Sequence, residues 1–328
     1  MVEKLVILCY SGSKEGVLMP SRYGILSTSS IAPRFIAAVR EAGARELVAV
    51  SPRTLEKAQA LNIPVAYGSH EELLTDENVN IVYISTVNAQ HYIWARAAIL
   101  AGKHVVCEKP CTTTAGQTAE RYELARQKGV FFMEAQKMLF LPAVLETKKR
   151  LADLGKVTMM ELSHSFPGSY NGWMFDKEAG GGPLLSSGIY AVQLIHWLFG
   201  AITQISGTAS MEKGVEWQYI LTGQTENGVL FSAKNSTRAV LDNTCRIFGE
   251  RGYIELPSYW KAQKVIFHID GKEETLEFPC QYELSYEAEH IADCLNKGLT
   301  NSPVITKELS LSGIGAIEKV KQQWEDTL

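Results

Sequence analysis

At 328 residues, with 46% hydrophobic and 21% charged side chains, the chain has the length for about two globular domains and the mixed character of neither a disordered nor a fibrous protein. Its formal net charge of -4 is spread over interspersed acids and bases. That pattern argues against nucleic acid or an anionic membrane as a partner, since both are read by clustered Lys and Arg. No apolar run nears the roughly 18 residues of a membrane span, and the six cysteines follow no disulfide or zinc-site spacing. A reduced, cytoplasmic protein with no metal is expected.

Residues 1–20 form an N-terminal extension; KLVILCY is too short and lacks the small-residue cleavage site of a signal peptide. It is either an extra strand or a loose tail. From Arg22 the chain alternates short apolar runs with helical segments. RYGILS predicts a strand, IAPRFIAAVREAG a helix closing on Gly43, and ELVAVS a second strand. A helix at TLEKAQAL, a strand at IPVAYGS, a short helix at HEELLTD and the strand NIVYIST follow. A helix at AQHYIWARAAILAG, the strand HVVCE, a helix at TTAGQTAERYELARQKG and the strand VFFMEA complete the series. Repeated β-α-β units on short connections demand a mostly parallel, doubly wound sheet, here assigned to residues 21–141.

After Pro142 the texture changes. A helix over AVLETKKRLADLG leads into long alternating segments from VTMMELSHSF to ETLEFP, with Asn-Gly and Asp-Gly turns between several of them. Helices are expected at 187–199, 282–297 and 307–324. Residues 142–328 therefore read as an α+β domain with a large, mostly antiparallel, open-faced sheet. Its outer face suits self-association into a homodimer or homotetramer.

In an open doubly wound sheet, ligands bind beyond the carboxyl ends of the strands. The first such turn holds Ser27, Ser29, Ser30 and Ile31, where a dinucleotide fold places glycines for close approach of a pyrophosphate; serines that cap the next helix are the alternative. At the second strand end stand Ser51 and Arg53 in place of the acid that selects NAD. An arginine can bind a 2′-phosphate bidentately, so NADP is preferred, with NAD possible; a helix cap and a solvated charge are the alternative. The fourth end offers Ser85, Asn88 and His91, with Asn88 placed to cap the next helix or to touch the cofactor. The fifth presents Glu108 and Lys109, an ammonium whose pKa burial and a neighbouring carboxylate pull in opposite directions. In the second half, GGGPLLSSGIY puts Ser186 and Tyr190 four apart on one helical face. A nearby Lys109 would favour the Tyr190 phenolate, and the two would supply the acid and base of hydride transfer. Gln136 and Lys137, just after a strand end, and Tyr170 and Trp173, just before the glycine run, are candidate substrate contacts alongside Ser186.

These residues resemble the glucose-fructose oxidoreductase / inositol dehydrogenase (Gfo/Idh/MocA) family. The likeness runs from RYGILS through VNAQH, AGKHVVCEKP, VFFMEAQK and GGGPLLSSGIY to SPVITKELSLSGI, and AGKHV-x-x-EKP is its most specific piece. The resemblance implies a Rossmann domain followed by an α+β domain whose open sheet often joins subunits. It also implies that Lys109 is the catalytic lysine, with Glu108 and Pro110 shaping the nicotinamide pocket. Within the family the chain is most similar to the dihydrodiol-dehydrogenase-like branch, which places a catalytic tyrosine where Tyr190 stands and mostly prefers NADP. Ser27 and Ser29 depart from the family's glycines, and Ser186 from a common aspartate. The expected activity is NAD(P)-dependent hydride transfer at a hydroxyl or carbonyl carbon of a small sugar, polyol or cyclic diol. A catalytically silent, cofactor-binding sensor on the same fold is the alternative.

Overall fold

The computed structural model describes residues 21–43, 45–51, 58, 61–169 and 172–326. The N-terminal extension, most of the helix expected at TLEKAQAL, Arg53 and Tyr170 lie outside the described residues. The first half forms a six-stranded parallel sheet from β1 (Ser21–Leu26), β2 (Arg45–Ser51), β3 (Val65–Ala66), β4 (Ile81–Ile84), β5 (His104–Glu108) and β6 (Phe132–Ala135), in the order β3-β2-β1-β4-β5-β6. Chain order reverses at β1, which opens a crevice between the ends of β1 and β4. Strand alternation explains the unbroken apolar runs. Ile25, Tyr83, Val106 and Met133 enter one core, while Leu26, Val82, Ile84, Val105, Cys107 and Phe132 enter the other.

The second half builds an eight-stranded sheet from β7 (Val157–Ser165), β8 (Ile202–Glu212), β9 (Val215–Thr225), β10 (Leu230–Ser236), β11 (Thr244–Gly249), β12 (Gly252–Pro257), β13 (Lys264–Ile269) and β14 (Lys272–Glu277). Its order is β14-β13-β12-β11-β7-β10-β9-β8, antiparallel except where β10 runs parallel to β7. At the Asp-Gly turn between β13 and β14, Asp270 and Gly271 both take positive φ, the mirror turn that matches sheet twist. One face of this sheet joins the core of the first half.

Two expected helices differ in detail. The one after Pro142 is α-helical only over Pro142–Lys149 and continues as a 3-10 turn over Leu151–Leu154, ending at Gly155. The one expected at 187–199 begins as a π-helical turn over Leu184–Gly188, and regular helix runs over Ile189–Phe199. The last helix, Lys307–Glu325, returns to pack on Ala115–Lys128 of the first half and on Ile189–Phe199. Its Glu318 accepts the Ala115 N–H at 2.9 Å, so the chain end pins the two halves together around one cleft.

Candidate active site

A cleft of 770 Å³ lies between the carboxyl ends of β1, β4 and β5 on one side and the Ser165 end of β7 with the Tyr190 helix on the other. The serine turn forms its floor. Ser27, Ser29, Ser30 and Ile31 all line it, and the helix Ala32–Glu41 starts there with no side-chain cap. The capping role open to these serines is therefore not used. Ser29 Oγ, and Thr86 Oγ1 across the cleft, are buried without hydrogen-bond partners. Orphaned hydroxyls beside an uncapped helix start are what a dinucleotide's diphosphate and ribose would satisfy, so these residues fit the cofactor. Ser27 holds φ 79 and donates its N–H to the Ser51 carbonyl at 3.0 Å. It takes the left-handed backbone that a glycine would adopt without strain.

The other cofactor-side residues divide by role. Ser85 is buried and donates to the Leu26 carbonyl at 3.3 Å. Asn88 does not cap its helix: Val87 holds the cap position, and Asn88 Nδ2 donates to the Gly180 carbonyl at 2.9 Å. That bond stitches the glycine run to the first half. Gly180, at φ 74, has no room for a side chain, because a Cβ there would stand 2.9 Å from that of Asn88. His91 is buried with Nδ1 2.8 Å from the Pro110 carbonyl and Nε2 3.0 Å from the Thr86 carbonyl. Burial lowers its pKa, and the neutral ring can donate to only one of the two carbonyls. It braces two loops rather than offering a free nitrogen. Ser51 is buried with its hydroxyl paired to His70 Nδ1. Ser51, a cofactor-binding candidate from its place at the strand end, is corrected on that account: its short side chain turns toward the helix that begins at His70 and does not line the cleft.

Lys109 and Tyr190 meet. The Lys109 ammonium lies 4.8 Å from the Tyr190 ring centroid and donates to the Ser186 carbonyl at 2.5 Å. The Lys109–Pro110 bond is cis. Glu108 is fixed at both oxygens, by the Tyr83 hydroxyl at 2.6 Å and the Lys109 N–H at 3.2 Å. Burial lowers the Lys109 pKa, with Glu108 and Glu134 opposing it. Burial, then the Glu108 and Glu287 charges, raises the Tyr190 pKa well above the phenol's ordinary range. The expected lysine-stabilised phenolate is therefore corrected: Tyr190 rests as neutral phenol, because burial first, and then the nearby carboxylates, disfavour its charged form although the ammonium sits over the ring face.

The remaining candidates separate cleanly. Lys137 lines the cleft, pairs with Glu283 at 2.7 Å, and is brought down to about 7 by burial and then the Arg34 charge. Arg34 shares that Glu283 carboxylate. Trp173 also lines the cleft. Ser186 lines it too, but its hydroxyl donates to the Gly182 carbonyl at 2.8 Å within the π turn. Gln136 is not at the cleft. Fully buried, it bridges to Gln193 of the Tyr190 helix, which in turn donates to Glu134 at 2.6 Å. Its carboxamide turns into the seam between the halves, where Nε2 donates to Gln193 and Oε1 is buried without a partner.

Reading the sequence missed Arg34, Thr86, His164, Phe166, Trp260 and Lys261, all on the cleft wall. For His164 a signal existed: Met160, Leu162 and His164 alternate toward one face of β7, so a polar residue falls at a core-facing position. Among the described residues no group of His, Cys, Asp or Glu could hold a metal, and no helix is long and apolar enough to cross a membrane.

Residues 21–136 match the model of an oxidoreductase family with an NAD-binding Rossmann fold, and residues 145–255 match the GFO/IDH/MocA C-terminal domain. The trans-1,2-dihydrobenzene-1,2-diol dehydrogenase of Xenopus laevis is 33% identical over 309 residues, covering 88% of this chain and 93% of that protein. Two solved structures share the fold at low identity. A levoglucosan dehydrogenase in complex with NADH and levoglucosan superposes with TM-score 0.82 at 18% identity, covering 92% of this chain and 97% of its own. A 3-ketoreductase from Actinomadura kijaniata in complex with NADP does so with TM-score 0.85 at 21% identity, covering 93% and 98%. Through both domain matches and a full-length relative, the chain belongs to the Gfo/Idh/MocA family of NAD(P)-binding oxidoreductases.

Proposed function

We propose that this protein is an NADP-preferring dehydrogenase or reductase acting on a CH–OH group of a small sugar, polyol or cyclic diol. The observation that carries this reading is the meeting of Lys109 and Tyr190, from opposite halves of the chain, in the cleft that also holds the serine turn. When bound there, a nicotinamide cofactor supplies or takes the hydride at its C4. The neutral Tyr190 phenol gives its proton to the substrate oxygen during reduction and recovers it during oxidation. Lys109, with one N–H on the Ser186 carbonyl, keeps two for that oxygen and steadies the tyrosine when it is deprotonated. Glu108, held by Tyr83, keeps this corner rigid. Ser27, Ser29, Ser30, Ile31, Ser85 and Asn88 would cradle the dinucleotide, and Lys137 and Trp173 would touch the substrate.

The NADP preference rests on the absence of a carboxylate at the end of β2, where Ser51 stands, and on Arg53 nearby. Cytoplasmic residence is in keeping with the free state of Cys107, Cys111, Cys245, Cys280 and Cys294. A homodimer or homotetramer would cover the outer face of the large sheet, where Met159 and Leu230 pair side by side and Ile220 is exposed. The test combines nucleotide fluorescence titration with turnover of a panel of sugars, inositols and cyclic diols. Tighter binding of NADP than NAD is expected, with turnover that falls about 10²- to 10⁴-fold in Lys109→Met. Binding without turnover of any compound would favour a silent sensor instead.

A further inference from the structure

One polar side chain on the cleft wall is satisfied by no protein atom and used by no step above. His164 stands near the end of β7, and the alternation that buries Met160 and Leu162 turns it inward, leaving it 3% exposed. Its ring stacks on Trp260, with centroids 3.6 Å apart and planes 29° apart, and Phe166 meets it edge-on at 4.2 Å. Neither ring nitrogen has a hydrogen-bond partner. An apolar residue would pack there without penalty, whereas a buried unpaired N–H and lone pair destabilise the fold unless a ligand completes them. Burial, then the Lys109 charge, brings the His164 pKa down to about 2, so the ring stays neutral with one donor and one acceptor. Ser186, expected to meet substrate beside Tyr190, has its hydroxyl on the Gly182 carbonyl.

We propose that His164, stacked on Trp260, is the residue that selects substrates bearing a second hydroxyl beside the carbon that reacts. His164, Lys109 and Tyr190 line one cleft, and the Lys109 charge acts on the imidazole. A substrate held by Lys109 and Tyr190 therefore shares its cleft with the imidazole, and the hydroxyl assigned to it is the one next to the reacting carbon. A hydroxyl both accepts and donates, which matches a neutral imidazole, and Trp260 extends a flat wall that suits the C–H face of a ring. The substrate class narrows to cyclic vicinal diols and ring-form sugars over simple alcohols. This rests on the dehydrogenase reading above.

Steady-state kinetics with NADP on two matched pairs test it: glucose against 2-deoxyglucose, and trans-vicinal cyclohexanediol against cyclohexanol. For whichever pair the wild type turns over, His164→Phe should lower kcat/KM about tenfold on the hydroxylated member and less than about twofold on its partner. His164→Gln, which keeps a donor and an acceptor, should recover most of that loss, and NADP affinity should not change. An equal loss on both members marks a packing role and overturns the proposal, as does no loss on either. If His164→Phe does not fold, the same double ratio is read from His164→Leu. A wild type that binds NADP yet turns over neither pair, nor any sugar, inositol or diol, overturns the dehydrogenase reading and this inference with it; an unchanged ratio in an active enzyme overturns this inference alone.

Discussion

The two ends of the cleft are built differently. At the cofactor end, the residues come from turns at the ends of β1, β4 and β5, strands that lie side by side, and two of their hydroxyls, on Ser29 and Thr86, are buried without partners. At the substrate end, the groups come from opposite halves and are tied by protein bonds, Lys109 to the Ser186 carbonyl and Lys137 to Glu283, while the Asn88–Gly180 and Gln193–Glu134 bonds join the halves around them. One end leaves its polar groups for a ligand to complete. The other arrives assembled, which is how a catalytic pair avoids reorganising during reaction. His164 is the exception that makes the substrate end incomplete as well.

The assembled end should show the largest effects. Tyr190→Phe removes the proposed proton donor while keeping the ring under the Lys109 ammonium, so kcat should fall about 10²- to 10⁴-fold with NADP affinity unchanged. Equal turnover by wild type and variant in stopped-flow assays would move the acid elsewhere and erase the contrast. Next in size is Gly182→Ala. Gly182 has φ 105, and a Cβ would strike the Glu216 carboxylate, which already accepts the Leu184 N–H at 2.8 Å. Urea melts should show a loss of about 2–4 kcal/mol, since both the backbone and the buried carboxylate must move. A variant as stable as wild type would mean this joint tolerates movement.

The contrast also governs what the sequence reveals. Neighbouring parallel strands keep their ends together whatever the loops do, so Ser27, Asn88 and Lys109 could be placed by counting strands. Ser51 failed because a strand end fixes a backbone position, not which way a short side chain turns; His70 decided that. Gln136 and Lys137 are adjacent, yet one enters the seam and the other the cleft, a distinction set by side-chain partners from the Tyr190 helix and from Glu283. His164 was legible as a polar residue at a core-facing position, but its meeting with Trp260 was out of reach for a different reason. His164 lies on β7 and Trp260 in the 3-10 turn after β12, and the sheet order β12-β11-β7 is what brings these distant parts of the chain together. The Tyr190 phenol was judged from one neighbouring cation, whereas its protonation depends first on burial and then on carboxylates, both of which only folding supplies.

Lys137 sharpens the comparison through pH. Its folded pKa, about 7, lies below the ordinary 10.5. Between these values the unfolded chain holds a proton that the folded chain has released, so stability rises with pH across that window and is flat below it. Relative to Lys137→Met, which cannot titrate, the wild type should gain up to about 1.4 kcal/mol per pH unit above pH 7. Denaturant melts of both proteins at pH 6, 8 and 9 measure the gain. A constant difference would mean that Glu283 keeps the ammonium charged throughout.

The smallest effects belong to the serine turn, where two substitutions separate strain from ligand binding. Ser27 holds a left-handed backbone at φ 79 that costs a non-glycine residue about 1–2 kcal/mol. Ser27→Gly relieves this but adds freedom to the unfolded chain worth about 0.5–1 kcal/mol, so a net gain of about 0.5 kcal/mol is expected. NADP affinity should shift less than about threefold, because the buried hydroxyl without a protein partner is on Ser29. Ser29→Ala removes that hydroxyl, leaves the backbone alone, and should weaken NADP about tenfold while stabilising the free protein slightly. Calorimetry of both variants with and without NADP reads the two quantities together. Affinity lost at Ser27 and kept at Ser29 would reverse their assignments, because the strained position would then be held for its hydroxyl and the orphaned one for nothing the cofactor uses.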